Sequence, residues 1–273
     1  MPCWERTAAP LTAVCVTALA ILLSACSSNL VLATWECKPA NSSATAGSNT
    51  TDAGELLEFP WSTSFENGFC DYLAGGGYCY VTGAATYKVV TSPVHTGRYA
   101  AEYTAVSGGD NDSYNSRCFR EGVLPQQAYY GAWYYIPALC TNSGVWNLFH
   151  FQGRNAPGES LRGLWDISLL NKDSGALRLE VYGFLTNPAL PDQSDAPDIP
   201  IGEWFHIQMF LKRAADATGE VTVYQNGVSV FHVANLRTDN TTFGQWYVGN
   251  YATDLTPTIS SLYVDDVSVG DAL

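Results

Sequence analysis

From Trp61 to the end, the chain is a succession of short runs in which apolar and polar residues alternate, broken repeatedly by Gly, Asn, Asp and Pro. Side chains on a strand point to opposite faces in turn, so this period-two rhythm specifies half-buried strands, and no stretch in this part keeps a helical period. In EWFHIQMFLK, Phe205, Ile207, Met209 and Leu211 form one face and Trp204, His206 and Gln208 the other. In LRLEVYGF, Leu177, Leu179 and Val181 oppose Arg178, Glu180 and Tyr182. In VWNLFHFQ, Val145, Phe149 and Phe151 read as the packed side, whereas Trp146, Leu148, His150 and Gln152 read as a binding surface. VTVYQNGVSVFHV carries Asn226-Gly227 between two apolar runs, the strongest short-range hairpin signal. An all-β fold follows, two antiparallel sheets packed as a sandwich over residues 59–273.

Composition supports one sizeable core. Of the 273 residues, 47% are hydrophobic and 13% aromatic, far from the composition of a disordered chain. The formal net charge of -13 argues against nucleic acid as a partner, because phosphate binding needs a cationic face. Arg117, Arg120, Arg154, Arg162, Lys172 and Arg178 nevertheless outnumber the nearby carboxylates in the middle of the chain, which allows a local cationic groove.

The first 58 residues read differently. LTAVCVTALAILLSA at 11–25 is an apolar stretch too short for a comfortable membrane span and is followed by small polar residues, as in a signal peptide over 1–25. Leu23-Ser24-Ala25-Cys26 has the form of a lipobox, which makes Cys26 the expected lipidation site and the membrane a partner through a lipid anchor on the bacterial cell envelope. Residues 26–58, rich in Ser, Thr, Ala and Gly, read as a flexible tether. Export permits disulfides. Proximity in sequence suggests Cys70 with Cys79 and Cys118 with Cys140, leaving Cys37 over, although spacing alone does not fix connectivity. The chain is expected to be a monomer.

Six segments together resemble the concanavalin A-like jelly-roll superfamily, and within it the bacterial polysaccharide lyases of alginate and glucuronan type. They are SFENGF (64–69), SPVHTGRYAAEY (92–103), YYGAWYYIP (129–137), IGEWFHIQMFLK (201–212), VTVYQNG (221–227) and SLYVDDVSVG (261–270). The resemblance implies a concave sheet that forms a groove for a sugar chain. Lyases of this kind set an Arg-rich strand, a Gln-x-His strand and a Tyr-x-Lys-x-Gly-x-Tyr strand across it. This chain offers SRCFRE (116–121), His150-Phe151-Gln152 and Tyr247-Val248-Gly249-Asn250-Tyr251, with Gln and His exchanged and the lysine missing.

On that resemblance, Arg120 and Gln152 would face a uronate carboxylate, His150 would act as base and Tyr251 as acid. Of Arg117 and Arg120, at most one faces the groove. Trp146, Arg154, Trp133 and Tyr182 would contact the sugar chain, and Trp165 and Tyr135 would add stacking surface. Related jelly rolls hold a structural Ca²⁺ far from the groove, which would fall here to Glu66, Thr96, Tyr99 and Asp265. A glycoside hydrolase needs a carboxylate pair, and LWDISLLNKD supplies Asp166 without the glutamates of the Glu-x-Asp-x-x-Glu pattern. A non-catalytic carbohydrate-binding or adhesion module is the alternative reading, and a cell-envelope scaffold without a glycan ligand a third.

Overall fold

The computed structural model of the chain describes Cys37 and residues 58–271, apart from 75–76, 108–112, 155–161, 185–189, 240 and 242. The expected signal peptide, the expected lipidation site at Cys26 and, Cys37 and Glu58 aside, the expected tether lie outside the described residues. Strand β1 (Trp61–Thr63) leads to a one-turn helix α1 (Cys70–Leu73), then β2 (Gly77–Val81), β3 (Tyr87–Val90), β4 (Ala100–Ser107), β5 (Ser113–Tyr114) and β6 (Ser116–Gly122). There follow β7 (Gln127–Tyr135), β8 (Thr141–Asn142), β9 (Trp146–Arg154), β10 (Arg162–Asn171), β11 (Leu177–Gly183) and β12 (Trp204–Lys212). The last five are β13 (Gly219–Gln225), β14 (Val228–Leu236), β15 (Phe243–Ala252), β16 (Leu255–Thr256) and β17 (Ile259–Gly270).

Two antiparallel sheets carry the sandwich. One runs β14-β13-β12-β7-β17-β4-β3, with β1 added on β17 and β5 on β4. The other, the groove sheet, runs β11-β10-β9-β15-β6-β2, and β16 and β8 form a separate ribbon. The fold class is the expected all-β jelly-roll sandwich. The alternation in β12 and β11 also holds, since Phe205, Ile207, Met209, Leu211, Leu177, Leu179 and Val181 are all buried. They meet Tyr130, Tyr134, Phe149, Phe151 and Trp246 between the sheets, each large apolar side chain contributing roughly 1.5–3 kcal/mol by leaving water. At the β13–β14 hairpin Gln225 pairs with Val228, so Asn226 and Gly227 alone make the turn. Both have positive φ (51° and 78°), as the primed two-residue turn demands.

One buried ion pair closes the end of the sandwich. Arg213, at the end of β12, donates through Nε to Asp239 Oδ2 at 2.5 Å and through its other nitrogens to the carbonyls of Leu124, Thr241 and Phe243. Its charge is therefore both paired and hydrogen-bonded, the condition under which a buried ion pair is tolerated.

The cysteine pairing differs from the expectation. The disulfides are Cys37–Cys70 and Cys79–Cys118, and Cys140 is buried and free. Cys79 and Cys118 face each other across β2 and β6 with Cα atoms 4.0 Å apart, a neighbourhood created by strand register rather than by chain proximity. Cys70 opens α1 and is bonded to Cys37, 33 positions earlier.

Candidate functional site

The exposed face of the groove sheet is organised in rows across its strands. One row is Asp166 (β10), His150 (β9), Tyr247 (β15), Phe119 (β6) and Tyr78 (β2). The row on one side holds Gln152, Gln245 and Glu121. The row on the other side holds Ser168, Asn147 and Tyr251, with Arg117 and Tyr80 beyond. Tyr78, Tyr80, Arg117, Phe119, His150, Gln152 and Gln245 line a pocket of about 230 Å³.

Parity alone misassigns half of β9. From the row of His150 to that of Asn147, β9 advances three residues while β10 advances two and β15 four. The neighbours keep their alternation, whereas β9 is bulged at Leu148 and its faces exchange. Leu148 and Phe149 both enter the core, and Trp146 follows them, fully buried with its indole Nε1 donating to Asn250 Oδ1 at 3.0 Å. Asn147 takes the groove position expected for Trp146. His150 and Gln152, beyond the bulge, face the groove as expected.

The arginine choice is likewise reversed. Arg120 alternates onto the core side of β6, beneath the surface, where its guanidinium lies 4.6 Å from the Trp61 ring centre and donates to the Ala74 carbonyl. Arg117 is the groove arginine. It donates to the Tyr80 hydroxyl and lies 5.0 Å from the Tyr247 ring centre and 5.2 Å from that of Tyr251. Gly249 pairs with Arg117, and a Cβ there would stand 2.9 Å from Arg117 Cγ and 2.4 Å from the Ser116 carbonyl oxygen. The glycine of the YVGNY segment thus leaves room for the arginine to lie across β15.

Other expected sugar contacts separate by sheet. Trp165 is buried, with its Nε1 donating to the Thr238 carbonyl at 2.9 Å. Trp133 and Tyr135 lie on the far face of the other sheet, where Trp133 stacks on His95 at 3.8 Å and Tyr135 packs on Trp204. Tyr182 does face the groove, opposite Asp166 at the β11 edge, and stacks with Phe184. Arg154 falls in β9, and its side chain lies outside the described residues.

His150 is nearly enclosed. Its ring centre is 3.6 Å from that of Tyr247, and its Nδ1 is 3.3 Å from Asp166 Oδ1. Burial lowers its pKa to about 4 against the countervailing pull of Asp166, so the imidazole is neutral near pH 7. Burial holds the Tyr247 phenol well above its ordinary range, and its hydroxyl donates to Asn147 Oδ1. Two buried atoms of the pocket lining, His150 Nε2 and Gln152 Oε1, have no hydrogen-bond partner. Leaving such atoms unpaired costs ~1–3 kcal/mol each, a cost expected where a ligand supplies the partner. Beside them Tyr78 and Tyr80 stack on Phe119 at 4.8 and 5.3 Å with interplanar angles of 9° and 14°, an aromatic shelf that alternation on β2 and β6 could have announced.

Of the residues expected to hold calcium, Glu66 and Asp265 each bond to the backbone of the 95–99 loop, which carries Thr96 and Tyr99. Glu66 Oε1 accepts the amide hydrogens of Arg98 and Tyr99, and Asp265 Oδ2 those of His95 and Thr96. Asp266 accepts from the Thr96 hydroxyl and lies 2.6 Å from His95 Nδ1. Among the described residues no group of three or more His, Cys, Asp or Glu side chains stands ready to hold a metal ion.

The fold and the site are those of a jelly-roll sandwich with a histidine, an arginine, glutamines and tyrosines beside an aromatic shelf on one sheet, a surface chemistry suited to sugar rings. The chain belongs to the polysaccharide lyase family, whose model matches residues 61–268, and its substrate class is therefore polysaccharide. Solved structures share the fold. The endo-β-1,4-glucuronan lyase of the fungus Trichoderma reesei superposes with a TM-score of 0.52 at 18% identity, covering 71% of this chain and 90% of its own. The cellulose induced protein Cip1 gives 0.53 at 16%, with 77% and 97% covered. The PL-14 alginate lyase from Aplysia kurodai gives 0.55 at 12%, with 79% and 100% covered. No curated protein matches the chain.

Proposed function

We propose that the groove cleaves a uronic-acid polysaccharide by β-elimination. The carboxylate of the bound uronate sits between Arg117 and Gln152, which flank His150 on the adjacent rows. Neutralising that charge makes the C5 proton removable, and a donor of this kind is typically worth ~3 kcal/mol in the transition state. His150 Nε2 takes the C5 proton, the C4–C5 double bond forms, the C4–O bond breaks, and the leaving oxygen receives a proton from Tyr251. Tyr251 is preferred to Tyr247 as the acid because it is partly exposed, whereas the Tyr247 hydroxyl is buried and committed to Asn147. Support for an acidic polymer comes from the groove arginine and from the relatives named above as glucuronan and alginate lyases.

The observation that carries the reading is the buried, neutral imidazole of His150 in the pocket lining, whose Nε2 has no hydrogen-bond partner. Incubation with a panel of polyuronates, followed by ultraviolet absorbance of the unsaturated product, tests it. His150→Gln and Tyr251→Phe should each lower turnover by ~10²–10⁴-fold, the range for a lost acid or base. Full activity in either variant overturns the assignment. The aromatic shelf favours a second reading, a carbohydrate-binding module, which predicts retention on a glycan gel with no absorbance change.

Lipid anchoring at Cys26 is supported by the LSAC sequence and by two disulfides, which fit an exported protein. Labelled palmitate incorporated by the parent and lost in Cys26→Ala is the expected result. A structural Ca²⁺ held by Glu66, Thr96, Tyr99 and Asp265 is supported by the bonds of Glu66 and Asp265 to the loop that carries Thr96 and Tyr99 and by the adjacent Asp265 and Asp266 carboxylates, whose charge a hard cation would offset. The melting temperature should then fall with EDTA and recover with added Ca²⁺.

A further inference from the structure

We infer that Asp166 is the positioning residue for His150: it holds the imidazole in the Nδ1–H tautomer and so keeps the Nε2 lone pair aimed into the groove. The inference rests on the reading of His150 as the base. Asp166 stands directly across the β9–β10 ladder from His150, so strand register fixes the pair, and their Nδ1 and Oδ1 atoms are 3.3 Å apart. Both side chains are largely enclosed, at 6% and 16% exposure, which limits competition from water.

Of the groups around the imidazole, Asp166 has the larger hydrogen-bonding effect and Gln245 on β15 a smaller one. Tyr247 presses its ring on the imidazole from β15 and sends its hydroxyl to Asn147. Arg117 on β6 is a cation with no acceptor, and its hydrogen bonds go to Tyr80 and Tyr247. Gln245 donates to Glu121 and to the Tyr78 hydroxyl, and Gln152 sits farther along β9 on the pocket lining. A neutral imidazole carries one N–H. Asp166 Oδ1, 3.3 Å from Nδ1, has no hydrogen-bond partner, so a hydrogen on Nδ1 turns toward it and leaves the buried Nε2 bare. When Nε2 accepts the substrate proton, the resulting imidazolium forms next to the same carboxylate, which offsets the repulsion of Arg117.

Long-range ¹H–¹⁵N correlation spectra of the protein at neutral pH read the tautomer without substrate. The chain has four histidines, and the His150 signals are those lost in His150→Gln. The parent should show a protonated Nδ1 and a bare Nε2. Asp166→Asn is nearly isosteric, and its amide can donate to Nδ1, so the variant should move the hydrogen to Nε2. Turnover should then fall by ~100-fold or more, the lower range for losing a base, with KM little changed. A parent spectrum with hydrogen on Nε2 overturns the inference and needs no variant to fold. An Asp166→Asn spectrum that keeps the parent tautomer also overturns it. A switched tautomer with undiminished turnover supports the positioning role and instead refutes His150 as the base.

Discussion

Replacing His150 by Gln should flatten the acid limb of the stability curve, and the size of the effect follows from burial. In the unfolded chain the imidazole titrates near 6.5; in the folded protein burial lowers that value to about 4. Below pH 6.5 the unfolded chain gains a proton that the folded protein refuses, so stability is fully present above 6.5 and is lost progressively as pH falls to about 4. Across that window the difference corresponds to ~3 kcal/mol, a large share of the 5–15 kcal/mol that separates folded from unfolded domains. The side chain is only 6% exposed, so solvent screening does not reduce the figure much. Urea unfolding at pH steps from 7.5 to about 4, on parent and His150→Gln, reads the effect as a double difference. Other titrating groups, including Asp265 with its pKa raised to about 6 by burial and by Asp266, contribute to both curves and cancel. The parent should lose ~3 kcal/mol more than the variant between pH 7 and 4. Curves that stay parallel over this range would refute the claim that His150 is held neutral by burial.

The same burial predicts that kcat/KM on a polyuronate keeps its full value down to about pH 5 and falls only toward pH 4, where the base becomes protonated; a limb near 6.5 would contradict it. Arg117→Ala should lower kcat/KM by ~100-fold with an unchanged melt, whereas Arg120→Ala, which removes a core-side guanidinium, should lower the melting temperature with a smaller loss per folded molecule. Asp239→Asn leaves the Arg213 charge buried without its partner and should cost ~3–5 kcal/mol in urea unfolding. Removing the Cys79–Cys118 bond by a double Ser substitution should cost ~2–4 kcal/mol, again read by urea.

The sheets were legible because burial on one face imposes a period of two, and β11, β12 and the Asn226-Gly227 hairpin follow it residue by residue. His150 and Gln152 were found by the same rule. Trp146 was lost to it, because a bulge at Leu148 shifts register relative to two neighbouring strands, and nothing in β9 alone marks that shift. Arg117 and Arg120 show a related limit. Their opposite parity was readable, but which parity meets the interior depends on the neighbours of β6: Cys79 and the α1 segment on one side, Tyr80 and Tyr247 on the other.

Local sequence therefore determined which stretches become strands and which residue types line a face, since alternation is a property of each strand by itself. Only the tertiary structure decided that Cys79 meets Cys118, that Trp133 stands on the far sheet, and that Asp166 lies against His150. Each of these depends on cross-strand register between segments distant in the chain, and register is set by the packing of the whole sheet.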